Sequence, residues 1–580
     1  MKTEQRFQGV AVSPGIARGV AYVYRPDDEV PPRRDVSDVG TEIQRFERAL
    51  VATREQILTM QEQVAGSIGA KDAAIFDAHV LVVEDSMLSG EVTKMIEAEQ
   101  CNAEHAFSSV VQRYVRSLAG LEDPYFRERT GDIQDVARRI LHNLQGKEVA
   151  GLAALDSPHV VLAHAVTPSD TAQMNRGYVL GFGTELGGRT SHAAIMARSL
   201  AIPAVIGLHK VLDQVENGAE VLLDGYSGIL VINPTEQTLY EYGELETRRK
   251  RVESELTRLR ETVSNTRDGR HVTLSANIES TEDVAQVVAS GAEGVGLFRT
   301  EFLFLQHREM PTENEQFEAY WHVAEGVKPH PVIIRTLDLG GDKMHDSLHM
   351  EPEENPFLGW RAIRVCLERT DLFKTQLRAI LRASVAGNVK LMFPMISGLG
   401  ELRCAKELLA ECREELRQEG KAFDEKMEVG MMIEVPSAAL IADLLAKEVD
   451  FFSLGTNDLV QYTVAADRTN EQIAHLYEPT HPAVLRLIKQ TVDAAHAAGI
   501  WVGVCGEMGG DIALTPLLVG LGVDELSCGA AVVPRVKRAV QLLEFGTCQA
   551  LVNEVMRCDT GTEILSRSEE VARSHYAELL

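Results

Sequence analysis

The sequence predicts a multidomain α/β protein: a compact α/β domain with an all-helical insertion, a charged linker helix, and a C-terminal (β/α)8 barrel. Three observations carry this reading. The chain has 580 residues, 45% of them hydrophobic and 25% charged, which is too long for one core and ordinary for folded domains. Short apolar runs bounded by glycine and proline lie on both sides of a long stretch with helical periodicity. After residue 263, eight strand-like runs alternate with helical segments, the pattern of a closed parallel barrel.

Taken in order, residues 1–24 (QGVAVSPGIARGVAYVY at their centre) read as short strands around Pro14-Gly15. Residues 25–146 begin polar and proline-rich, then turn helical, with Ile43, Phe46, Leu50, Ile57 and Met60 at spacings of three, four and seven. Between Asp72 and Glu104 this region holds eight acids and one lysine, Lys94, which marks either a solvated face or a docking face for a basic partner. Residues 147–233 return to short strands: VVLAHAV, GYVLGFGTE, AVIGL, AEVLLDG and GILVINP. The N-terminal strands are expected to join that sheet, making the helical region an insertion. Residues 234–262 read as a linker helix with a thin seam of Leu239, Tyr242, Leu245, Val252, Leu256 and Leu259, roughly 43 Å long at full helicity.

Residues 263–580 supply the eight barrel strands: VTLSANI, GVGLF, VIIRT, VKLMFP, GMMIE, FFSLG, WVGVC and DELSC. The long stretch between the third and fourth suggests a lid or an interface. A short helix is expected in the tail after Cys558.

Composition narrows the function. The net charge of −28 argues against a nucleic-acid partner. No apolar run approaches the roughly 18 residues of a membrane span, and the first residues lack a secretory core, so membrane insertion is not expected. Eight scattered cysteines without a CxxC pair fit reduced thiols and a cytoplasmic location.

In a barrel, functional groups belong where the strands end. Arg299 follows GVGLF, Arg335 ends VIIR, Glu434 ends GMMIE, Asn457 and Asp458 follow FFSLGT, and Cys505 ends WVGVC. Arg361 and Arg468 lie on loops beyond the third and sixth strands. Four arginines concentrate positive charge unless an anionic ligand joins them, and their forks match phosphate and carboxylate oxygens. Glu434 and Asp458 offer the hard oxygens that suit Mg²⁺ shared with a substrate. A phosphorylated carboxylic acid is the economical ligand. Cys505, between Gly503 and Gly506, is a candidate proton donor with an unperturbed pKa near 8.5.

A second constellation lies at GTELGGRTSHAAIMARS. Gly187-Gly188 allow close backbone approach, and Ser191-His192 open a helix whose free N–H groups favour a phosphate. His192 is the candidate nucleophile, with Arg189, Thr190 and Ser191 as further donors to a phosphoryl group on it. No strand–helix setting supports GxGxxG or a Walker A loop.

These motifs carry a specific resemblance. GGRTSHAAIMARS resembles the phosphohistidine signature of the phosphoenolpyruvate-utilising enzymes. EGVGLFRTEFLF, IIRTLDLGGDK, NPFLGWRAIR, MMIEVPSAAL, FFSLGTNDLVQYT and CGEMGGD resemble that family's barrel motifs, in order along essentially the whole chain. Within the family the match is to the enzyme I group of the bacterial sugar phosphotransferase system. The resemblance implies that a swivelling domain carries His192, which takes the phosphoryl group of phosphoenolpyruvate, with Mg²⁺ held by Glu434 and Asp458. Arg299, Arg335, Arg468, Asn457 and Asp458 would bind the substrate and Arg361 would assist at the phosphoryl group. Cys505 would protonate the enolpyruvate carbon to give pyruvate. The phosphoryl group would pass to a histidine of the phosphocarrier HPr docked on the helical insertion, and the barrel would form a homodimer. A stand-alone Mg²⁺-dependent barrel lyase is the rival, and it leaves His192 unexplained.

Overall fold

The computed structural model describes residues 3–580 except 26–30, 69–74, 120–123, 147–151, 153–154, 173, 175–176, 189–190, 201, 306–308, 341–352, 469 and 471. The chain forms two compact units, residues 1–247 and 248–580.

In the first unit the N-terminal strands β1 (Gln5–Gln8), β2 (Val10–Ser13) and β3 (Ile16–Tyr24) join β4 (His159–Ala163), β5 (Val179–Thr184), β6 (Ala204–Ile206), β7 (Glu220–Asp224) and β8 (Ile229–Ile232). They make one sheet in the order β1-β8-β7-β3-β4-β5-β6-β2. β3 to β6 run parallel, and the outer pairings are antiparallel. Apolar clusters bury both faces, with Val161, Phe182 and Ile206 on one and Leu162, Val205 and Leu223 on the other.

Between β3 and β4 the chain leaves the sheet for α1 (Val39–Ile68), α2 (Ile75–Val83), α3 (Ser86–Glu99), α4 (Ala103–Ala119) and α5 (Pro124–Gln145). The expected seam closes their core: Phe46, Ile57 and Met60 are buried against Phe76, Phe107 and Ile140, while Ile43 and Leu50 sit at its edge. Asp85 starts α3 by accepting from the N–H groups of Met87 (2.8 Å) and Leu88 (3.1 Å), a carboxylate cap on otherwise unpaired donors.

The charged helix runs Glu236–Arg258, shorter than the 234–262 expected because residues 259–262 turn off the helix. Its seam is divided. Tyr242 is buried with Leu222 and Val231 of the sheet, whereas Val252 and Leu256 join the barrel core.

The second unit contains all eight expected strands: β9 (Thr273–Ile278), β10 (Val295–Arg299), β11 (Val332–Arg335), β12 (Val389–Phe393), β13 (Val429–Ile433), β14 (Phe451–Leu454), β15 (Trp501–Val504) and β16 (Glu525–Gly529). They pair in parallel and close into a barrel, β16 returning to β9. The long excursion after β11 holds the helices Ile363–Glu368 and Thr370–Ala383. The tail differs from expectation. It forms a helix of 16 residues, Gly561–Tyr576, because Ile564, Ser568, Ala572 and Tyr576 recur every fourth residue and are all buried. Among the described residues no helix is long and apolar enough to cross a membrane.

Candidate functional site

The C-terminal ends of the strands border a cavity of about 200 Å³. Arg299, Arg335, Arg361, Glu434, Asn457, Asp458, Arg468 and Cys505 all line it, so every residue singled out in the barrel sequence faces the same space.

The arginines are held, not free. Arg335 ends β11 with its side chain 6% exposed, between Glu301 (2.7 Å) and Asp338 (3.1 Å). Asp338 also grips Arg361 at 2.9 Å, and Arg361 reaches Asp458 at 3.5 Å and donates to the hydroxyl of Tyr462 at 3.1 Å. Tyr462 in turn donates to the carbonyl of Phe357 at 2.5 Å, tying the Arg361 loop to the helix after β14. Arg299 pairs with Glu279 at 3.1 Å. Burial alone would lower the pKa of Arg335 and Arg361, but the surrounding carboxylates more than offset it and both stay charged.

The sequence-based view of uncompensated positive charge is therefore corrected. Glu279, Glu301 and Asp338 balance Arg299, Arg335 and Arg361 within the protein. Asp338 stands three residues after its partner, in Arg335-Thr-Leu-Asp338, so that pair was legible in the sequence, whereas Glu301, beyond the end of β10, meets Arg335 of the next strand.

Backbone geometry fixes the loop that carries Arg361. Gly340 has φ +111°, and a Cβ there would fall 2.5 Å from Arg361 Cβ, so only glycine fits. Ala362 follows Arg361 at φ 52°, a costly conformation for a residue with a side chain, held by its N–H bond to the carbonyl of Leu339 at 2.8 Å.

The carboxylates carry the opposite strain. Glu434 accepts from the N–H of Met395 at 2.6 Å. Its pKa is raised to about 8 by burial and by the charges of Asp458 and Asp338, with Arg335 and Arg361 opposing. Oδ1 of Asp458 is buried without a hydrogen-bond partner among the described residues. Two crowded carboxylates, one with an unsatisfied oxygen, fit a divalent cation. Among the described residues no group of three or more His, Cys, Asp or Glu side chains is placed to hold a metal ion.

Asn457 is oriented by Glu507, whose N–H donates to Oδ1 at 2.9 Å. Arg468 lines the cavity, its backbone N–H donating to Gln461 Oε1 at 3.2 Å. Cys505 is 3% exposed and lies at the floor with Leu297, Met432 and Phe451. Burial pushes its thiol up to about 11, against the Ser453 hydroxyl and the Arg335 guanidinium, so at neutral pH the sulfur keeps its proton.

In the first unit, Ser191 is extended (φ −62°, ψ 152°) and caps the helix His192–Ser199, its Oγ accepting from Ala194 N at 3.4 Å. Gly187 (φ +120°) makes the preceding turn. The helix start borders a cleft of about 690 Å³ lined by Gly187, Ser191 and Ala193 on one side and Asp132, Gln134 and Arg138 of α5 on the other. The candidate donors Arg189 and Thr190 lie outside the described residues.

Comparison with known proteins agrees along the whole chain. Residues 8–129 match the family model "PEP-utilising enzyme, N-terminal", 155–228 "PEP-utilising enzyme, mobile domain", and 253–545 "PEP-utilising enzyme, PEP-binding domain". Proteins named phosphoenolpyruvate-protein phosphotransferase from Bacillus sp. (strain S) and Geobacillus stearothermophilus are each 46% identical over 563 residues, 97% of this chain and 97% of theirs. One from Staphylococcus carnosus (strain TM300) is 43% identical over 570 residues, 98% of this chain and 100% of its own. Sequence likeness of that extent, over a barrel whose rim gathers arginines and acids, assigns the family: the chain belongs to the phosphoenolpyruvate-protein phosphotransferases, within the phosphoenolpyruvate-utilising enzymes.

Proposed function

We propose that this chain moves the phosphoryl group of phosphoenolpyruvate to His192 and from there to a histidine of the phosphocarrier HPr, releasing pyruvate. It is the first general component of a sugar phosphotransferase system in the cytoplasm. The observation that carries the reading is the single cavity in which four arginines, two metal-capable carboxylates and a protonated thiol converge.

Arg299, Arg335 and Arg468, with Asn457, bind the substrate's anionic groups, and Arg361 lies at the phosphoryl group. Because Glu301, Asp338 and Glu279 fix the guanidinium planes beforehand, little reorganisation is left for the moment of transfer. Glu434 and Asp458 would hold Mg²⁺, whose charge would neutralise substrate oxygens. Cys505 holds its proton for the methylene carbon of enolpyruvate. His192, carried by the first unit, reaches the rim and afterwards faces the carrier, so the reading requires that unit to move on the helix Glu236–Arg258. Leu81 on α2 (64% exposed) and Met87 on α3 (71%), with Glu84 and Asp85 between the two helices and Glu91 on α3, support docking of a carrier with an apolar, basic face. Exposed Leu440, Leu444 and Leu476 support a homodimer through the barrel.

The test is incubation with phosphoenolpyruvate and Mg²⁺ followed by intact-mass and site mapping. One acid-labile phosphoryl group on His192, absent after chelation and absent in His192→Ala, is the expected result. An unlabelled His192 in a folded protein that still turns over a pyruvate-like acid would hand the barrel to the lyase reading.

A further inference from the structure

The barrel interior below the cavity has two characters. Leu297, Ile333, Met392 and Met432 make one side apolar. On β9, β15 and β16 the wall instead presents Asn277, Gly503, Ser527 and the carboxyl of Glu525. Glu525 is 6% exposed, and the reaction as described does not use it. A Cβ built on Gly296 would fall 2.3 Å from Glu525 Oε1 and 2.4 Å from Ser527 Oγ, so both oxygens crowd a space that only glycine leaves open. The strand register sets Glu525 opposite Gly503. Gly503 and Cys505, the residue just after β15, share one face by strand alternation, and Gly503 puts no side chain beside Glu525 there. Ser527 Oγ donates to Asn277 Oδ1 at 2.6 Å, and Asn277 Nδ2 donates to the Cys505 carbonyl at 3.0 Å, tying this layer to the backbone that carries the thiol.

A thiol that has given its proton to carbon is left as a buried thiolate and must be reloaded. We propose that Glu525 is the proton reserve that reloads Cys505, acting through the thiol and without touching the substrate. This rests on the reading of Cys505 as the proton donor. In the donor step the Cys505 S–H bond breaks, the C2–C3 double-bond electrons take the proton at C3, and the C2 carbonyl forms. In the reloading step the Glu525 O–H bond breaks, and its proton passes by way of water or the Ser527 hydroxyl to Sγ. The carboxylate then recovers a proton from solvent. Burial supports this, raising the Glu525 pKa to about 7 against the Ser275 hydroxyl and the Lys390 ammonium, with Glu293 adding to the rise, so the group exchanges protons near neutrality.

The test compares two exchanges on the full-length enzyme with phosphoenolpyruvate and Mg²⁺ but no carrier. Exchange of ¹⁴C between pyruvate and phosphoenolpyruvate needs no reloading, because the same proton can shuttle between sulfur and carbon. Washout of deuterium from methyl-labelled pyruvate needs the thiol to trade its isotope with the reserve. Glu525→Gln is expected to slow washout at least about tenfold relative to carbon exchange, and Glu525→Asp to restore much of the ratio. An unchanged ratio, or equal slowing of both exchanges, overturns the proposal. Washout that survives in Cys505→Ala instead removes the reading of the thiol as donor, a separate result.

Discussion

An Arg335→Leu enzyme is expected to be destabilised by about 3–5 kcal/mol and to form pyruvate roughly a thousandfold more slowly. Two causes act together. Arg335 pairs with Glu301 at 2.7 Å and shares Asp338 with Arg361; both acids are buried. Removing the guanidinium strands charge in a place water does not reach, and the fold must protonate a carboxyl or lose stability. The activity loss has a different origin, the missing fork at the substrate. The two can be separated. Arg335→Leu combined with Glu301→Leu should recover most of the stability and none of the rate. The three tryptophans, Trp321, Trp360 and Trp501, all belong to the second unit, so their fluorescence in urea follows that unit's unfolding. A single variant that unfolds at the wild-type urea concentration would mean that the buried ion pairs contribute nothing net.

The second large effect is a dependence of stability on pH. Glu525 has a folded-state pKa of about 7, raised from 4.5 by burial. Between those values the folded state binds a proton that the unfolded chain has lost, so stability falls as pH rises. The contribution is fully present below pH 4.5 and is lost as pH passes 7, in total roughly 3 kcal/mol at about 1.4 kcal/mol per unit. Glu434, raised to about 8 for the same first reason, adds a loss of the same sign in the metal-free protein. Glu525→Gln should therefore flatten the profile, gaining on wild type at pH 8 but not at pH 4.5. Parallel urea curves at both pH values would show that the carboxyl is already ionised in the fold.

The barrel was legible because its strands alternate with helices in apolar runs that end abruptly in one polar group; Arg299, Arg335, Glu434 and Cys505 are all found that way. Their charge balance was misjudged for a physical reason. Periodicity shows where a strand stops, but not that Glu301 reaches across to Arg335 of the next strand or that Asp338 folds back onto Arg335. Glu525 was hidden differently. In Asp524-Glu525-Leu-Ser-Cys it reads as a polar residue entering a strand, and its burial depends on glycines at 296 and 503 on neighbouring strands. The C-terminal helix was underestimated because its buried stripe, with Ser568 in it, is only weakly apolar. His192 was singled out from its Gly-Gly and Ser context, and it stands first in a helix capped by Ser191.

The divided seam of the helix Glu236–Arg258 sets a rule for its length. Tyr242 is fastened in one unit and Val252 in the other, ten positions further along a continuous screw. Each residue added between them turns one anchor by about 100° and advances it about 1.5 Å. One extra residue would turn Tyr242 by about 100° about the helix axis relative to Val252, whereas seven bring the two back to within about 20° of their original bearing. Near-heptad changes in length therefore keep the angle between these two apolar residues about the helix axis, and other changes do not.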